Sequence, residues 1–80
     1  MKELQYEIVI EQEEDPTAGF SVSCPALPGC FSNGATVEQA KKNMREAMGL
    51  YIESLVAQGE EIPAPRHSIQ VDQLTLMVPA

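Results

Sequence analysis

A chain of 80 residues with 44% hydrophobic and 21% charged side chains is long enough for one packed domain and too apolar to stay disordered, so residues 1–80 read as a single domain. Twelve acids against five bases give a formal charge of −7; such a surface repels nucleic-acid phosphates and anionic lipid and favours a basic partner, although acidity also simply keeps small domains soluble. No apolar run approaches the ~20 residues that cross a bilayer, and the opening MKELQYEIVIEQ alternates and carries acids, unlike a secretory signal. The expected location is therefore cytoplasmic, away from membranes.

Leu4, Tyr6, Ile8 and Ile10 alternate with Glu3, Gln5, Glu7 and Glu11. This period of two predicts a strand with one dry and one wet face, interrupted on the polar side only by Val9. QEEDPTAG, residues 12–19, is a polar turn holding Pro16 and Gly19. Phe20, Val22 and Cys24 then alternate with Ser21 and Ser23, which predicts a second strand closing an antiparallel hairpin. Pro25 and Pro28 have no amide donor and stop it. Cys30, Phe31 and Ser32 suffice for a short third strand, with Asn33-Gly34 as a turn after it.

Thr36 stands where a helix N-cap belongs, and Gln39 follows three residues later, a capping-box pattern. Ala40, Met44, Ala47, Met48, Tyr51 and Leu55 recur at helical spacing. Lys42, Glu46, Gly49 and Glu53 fall on the opposite face. Gly59 suits the position that ends a helix, so the helix is predicted over 37–58, roughly 33 Å long. Pro63 and Pro65 keep the connection that follows extended. Ile69 and Val71, then Leu74, Leu76 and Val78, predict a last strand whose alternation slips near Asp72-Gln73. The order is βββαβ, an α+β fold with a small antiparallel sheet and one helix across one face. The run LTLMV at 74–78 is too rich in large apolar side chains for an exposed edge. Leu74, Leu76, Met77 and Val78 are therefore expected at an interface between copies of the chain, a homodimer or larger homo-oligomer, as suits so small a domain.

The chemistry-bearing residues are few. Cys24 and Cys30 lie five residues apart, wider than the usual zinc spacing, and the one other soft ligand, His67, is distant in sequence. A cytosolic setting disfavours a disulfide, so both cysteines read as small buried hydrophobes. His67, beside Arg66, reads as a surface histidine without a partner. The run Glu11, Glu13, Glu14 and Asp15 lacks the spacing of a calcium loop. No dinucleotide, P-loop or hydrolase motif occurs. A hydrolase would have to use Glu7 and Asp72, and two-metal nucleases gather more carboxylates than that. No catalytic, cofactor or metal residue is assigned, and the chain is read as no enzyme.

The succession GFSVSCPALPGCFSNGATVEQAKKNMREAMGLYIESLVAQGEEIPAP resembles the HicB family of antitoxins from toxin–antitoxin pairs. The residues that carry the resemblance are the strand ending in Cys24-Pro25, LPGC at 27–30, the helix start Gly34-x-Thr36, and the closing IPAP at 62–65. The likeness covers about residues 6–65. It implies a partial ribonuclease-H-like fold without ribonuclease activity. It also implies a partner: a small basic HicA-type toxin, an RNase with a single active-site histidine that the antitoxin masks. Charge would steer such a partner toward the hairpin acids Glu11, Glu13, Glu14 and Asp15 and toward Glu46 and Glu53 on the wet face of the helix. Many HicB proteins add a C-terminal DNA-binding segment; here the sequence ends at Ala80, so direct DNA binding by this chain is not expected. The alternative within the family is a stand-alone homo-oligomeric interaction domain whose partner is not a toxin.

Overall fold

The computed structural model describes residues 2–65 and 68–79. Alternation in the first half of the chain produces a three-stranded antiparallel sheet, β1 (Val9–Gln12), β2 (Phe20–Ser23) and β3 (Phe31–Gly34), in the order β1-β2-β3. Ile10 pairs with Val22, and Val22 with Ser32, so the register keeps the apolar positions of the hairpin on one face. A single helix, α1 (Val37–Ala57), follows. Strands followed by one helix make the α+β arrangement expected from the pattern.

β1 starts later than the alternation does. Val9 pairs with Ser23, so Ile8 would face Cys24 and Glu7 would face Pro25, where the proline offers no amide to a ladder. Tyr6 and Ile8 still pack against the core without strand hydrogen bonds. At its other end β1 runs on through Glu11 and Gln12. The turn after it contains a short 3-10 helix, Pro16–Ala18, capped by Asp15. The Asp15 carboxylate accepts from the Thr17 hydroxyl at 2.7 Å and from the Thr17 amide at 2.9 Å.

CPALPGC folds as two consecutive turns. Leu27 N–H donates to the Cys24 carbonyl and Cys30 N–H to the Leu27 carbonyl, both at 3.0 Å, while Cys24 N–H donates back to the Cys30 carbonyl at 3.3 Å. Gly29 takes φ +80°, a left-handed angle that suits glycine. The loop thereby turns Leu27 inward, where it is fully buried at 0% exposure. Val22, Cys24, Cys30, Ala40 and Met44 complete the buried core.

Asn33 and Gly34, expected as a turn, are instead the last two residues of β3. Gly34 does not use a left-handed angle. It is needed for space, because a Cβ there would overlap the backbone of Ala40 in the first turn of α1. Thr36 caps the helix, its hydroxyl accepting from Gln39 N–H at 3.1 Å. The Gln39 side chain reaches back to Ala35 N–H at 3.0 Å, one residue earlier than in a standard capping box. At the far end Gly59 N–H donates to Val56 O and Glu60 N–H to Leu55 O, with Gly59 at φ +71°. This is a Schellman closure.

The helix lies mainly over β3 and β2. Asn43 donates to the Asn33 carbonyl at 2.8 Å, and Tyr51 to the Pro28 carbonyl at 3.0 Å, which pins α1 to that side of the sheet. Residues 68–79 form no helix or strand, so the last strand of the expected βββαβ order is not made within the single chain. They form an arm, and the molecule spans 57 × 27 × 19 Å. Leu74, Leu76, Met77 and Val78 are 77–96% exposed.

Candidate partner-docking surfaces

Three surfaces could take a partner. The first is the face of the sheet opposite the helix. Strand alternation places Glu11, Ser21 and Asn33 in one cross-strand row and Val9, Ser23 and Phe31 in the next. Serines keep this face flat and polar, and Phe31 stands 72% exposed at its β3 edge.

The second is acidic. Glu11, Glu13, Glu14 and Asp15 are all exposed at one end of the β1–β2 hairpin, and Glu46 and Glu53 are exposed on the outward side of α1. The hairpin acids stand close together. Glu46 and Glu53 lie about 10 Å apart along the helix axis, and they begin some 15 Å beyond the helix cap by the same rise. The six therefore form a compact cluster and a separate helix stripe. Hydrogen bonding by Thr17 holds the Asp15 carboxyl below its ordinary range.

The third is an apolar cleft that the sequence reading does not contain. Because α1 sits over β3 and β2, the half of the sheet nearest β1 is left partly uncovered. Leu4, Tyr6 and Ile8 on one side and Met44 and Met48 on the other line a cleft of about 270 Å³, with Lys41 and Arg45 at its rim. Tyr6 donates to the Pro63 carbonyl at 2.6 Å, which ties the segment leading to the arm beside this cleft. Its sequence signal is the pair of bases on the shoulder of an apolar helix stripe, opposite an apolar N-terminal run.

Glu7 stands exposed at the start of the sheet, whereas Asp72 lies on the arm, its carboxylate accepting from Gln73 N–H at 2.8 Å. Among the described residues, no group of three or more His, Cys, Asp or Glu side chains converges to hold a metal. His67 and Arg66 lie outside the described residues. Cys24 and Cys30 are free thiols, both buried. Burial, then the neighbouring Cys24, pushes the Cys30 thiol above its ordinary range, which suppresses the nucleophilic thiolate. Burial likewise raises Tyr6, with Cys24 adding to it. Replacing both cysteines by alanine is expected to leave partner binding intact and to lower stability by about 1–3 kcal/mol through lost packing. Calorimetry and a zinc assay on protein purified without added metal check this; stoichiometric zinc contradicts it.

No helix is long and apolar enough to cross a membrane among the described residues. The chain is 42% identical over 73 residues to a UPF0150 protein of Synechocystis, covering 91% of this chain and 87% of that one. It is 43% identical over 60 residues to a UPF0150 protein of Thermoplasma acidophilum, covering 75% and 84% of the two chains. An uncharacterised 14.9 kDa protein of Haemophilus phage HP1 is 43% identical over 58 residues, which are 72% of this chain and 41% of the phage protein. No solved structure matches. Residues 6–75 match the HicB-like antitoxins of bacterial toxin–antitoxin systems, a span that takes in the capped helix, the double turn around Leu27 and the hairpin, and the chain belongs to that family.

Proposed function

We propose that this protein is the antitoxin half of a two-protein pair and that it works by binding and masking a small basic RNase toxin of the HicA type, without chemistry of its own. The observation that carries the reading is membership of the HicB-like family over residues 6–75. The net charge of −7 and the acidic end of the hairpin support it, since both suit a basic partner. The toxin docks on the flat sheet face that Glu11 borders, with Phe31 as its apolar anchor and Glu13, Glu14 and Asp15 as its charged rim. Glu46 and Glu53 add long-range attraction from the helix. Complex formation takes place in the cytoplasm, where the toxin would otherwise meet RNA.

The exposed arm favours an added property, self-association. Leu74, Leu76, Met77 and Val78 are too exposed in one chain for a stable soluble surface, and a homo-oligomer hides them. This property also fits a stand-alone interaction domain with a non-toxin partner. Co-expression with a small basic toxin of the HicA type separates the two. A complex that survives purification at physiological salt is the result expected of an antitoxin, and recovery of the chain alone as a homo-oligomer is the result expected of the stand-alone domain.

A further inference from the structure

We propose that the cleft beside β1 is the receptor for the C-terminal arm of a second copy of this chain, so that two copies exchange arms. The proposal rests on the self-association reading above and gives it a site. Four observations meet here. The cleft is lined by Leu4, Tyr6, Ile8, Met44 and Met48, an apolar floor left open among the described residues. The same chain carries an apolar segment of matching character, with Leu74 at 91% and Leu76 at 78% exposure. β1 is an edge strand, and its outer row of amide and carbonyl groups is open to a further strand. Finally, Lys41 and Arg45 at the rim face an arm whose one charge between residues 68 and 79 is Asp72.

The path of the chain favours a second copy over closure on the same body. The Tyr6–Pro63 hydrogen bond at 2.6 Å fixes the arm's root beside its own cleft. Pro63 and Pro65 stiffen the segment that leaves it. The arm is exposed, with Leu74, Leu76, Met77 and Val78 at 77–96%. Exchange of an identical element between protomers is a low-cost route to a dimer. Under a two-fold axis each arm leaves beside one cleft and fills the other. Leu74, Leu76 and Val78 then point into the apolar floor while their backbone pairs with β1. The exchange supplies in the dimer the strand that the single chain lacks, and it closes both β1 edges at once.

Cross-linking between single-cysteine variants tests this directly, because native Cys24 and Cys30 are buried and spare the background. Arg45→Cys and Leu76→Cys are made in separate full-length chains, mixed, and treated with a short bismaleimide. The expected product is a covalent dimer containing one of each. A control pair, Glu53→Cys with Leu76→Cys, gives at least tenfold less. Leu74→Asp/Leu76→Asp, at positions 91% and 78% exposed in the single chain, shifts sedimentation to the 8.7 kDa monomer with helix content unchanged. An oligomeric parent in which Arg45→Cys and Leu76→Cys do not cross-link overturns the cleft as the receptor and leaves self-association standing. Cross-linking confined to single chains carrying both cysteines shows the arm closing on its own body and overturns exchange. A monomeric parent overturns exchange and self-association together, while toxin binding is judged by its own assay.

Discussion

Replacing Leu27 by alanine is expected to destabilise the protein by about 2–5 kcal/mol, the range for deleting a fully buried leucine. Leu27 is 0% exposed and, with Met44 and Val22, is among the largest fully buried side chains. A domain of this size has a total stability of roughly 4–12 kcal/mol at ordinary values per residue, so the variant loses a large fraction of it. The melting temperature should fall by roughly 8–40 °C, because each kcal/mol is worth about 4–8 °C at this length. Gly34→Ala acts through a different cause with a related outcome. Its Cβ would meet the backbone of Ala40, which cannot rotate away as a side chain would, so the helix must shift off β3 at a cost of about 1–3 kcal/mol. Tyr51→Phe, which loses one exposed hydrogen bond to the Pro28 carbonyl, should cost at most about 1 kcal/mol. Thermal unfolding followed by circular dichroism ranks the three. A Leu27→Ala variant as stable as Tyr51→Phe contradicts the account of the double turn as the plug of the core.

The contrast between Thr36 and Leu27 shows what is legible in a sequence of this kind. Thr36, Gln39 and Gly59 act through neighbours within five residues, and their spacing alone foretells the helix and both its ends. Leu27 acts through chain reversal. Two turns must form before its side chain points inward, and nothing in ALP distinguishes a plug from a surface loop. Gly34 misleads for a related reason: next to asparagine it suggests a turn, yet its lack of a side chain is used for close helix–strand approach, a tertiary fact. The slip in alternation at Asp72-Gln73 is visible in sequence, but the strand around it needs an edge to pair with, and the single chain does not bring one. Of the candidate surfaces, the exposure of the six acids follows from their placement on wet positions. Their division into a hairpin cluster and a helix stripe does not, because it depends on how the helix lies across the sheet. The cleft rimmed by Lys41 and Arg45 was hidden for the same reason.

Changing Glu11, Glu13, Glu14, Glu46 and Glu53 to glutamine and Asp15 to asparagine should slow association with a basic toxin by an order of magnitude or more at low salt. All six are exposed, and Asp15→Asn keeps an oxygen to accept from Thr17, so the fold should persist. Rim charges speed encounter, while buried contacts set the lifetime of a complex; the dissociation rate should therefore change much less. Raising the ionic strength should slow the parent toward the variant, since the screening length contracts from about 30 Å at 0.01 M to about 8 Å at 0.15 M. Stopped-flow association rates across a salt series measure both effects. A neutralised variant that associates at the parental rate at low salt would mean that recognition does not depend on acidity. Neutralising the hairpin four alone should account for most of the loss, because they are clustered and border the sheet face.

An antitoxin of this kind silences its toxin by covering it, and an RNA-cleavage titration reads this out. A small basic RNase toxin of the HicA type is purified, its cleavage of RNA is followed over time, and this protein is added in increasing amounts. Cleavage is expected to fall in proportion to the protein added, to stop at a fixed whole-number ratio of the two chains, and to return when the complex is dissociated. Undiminished cleavage at a large excess of this protein, with no complex detected by sedimentation, would contradict it.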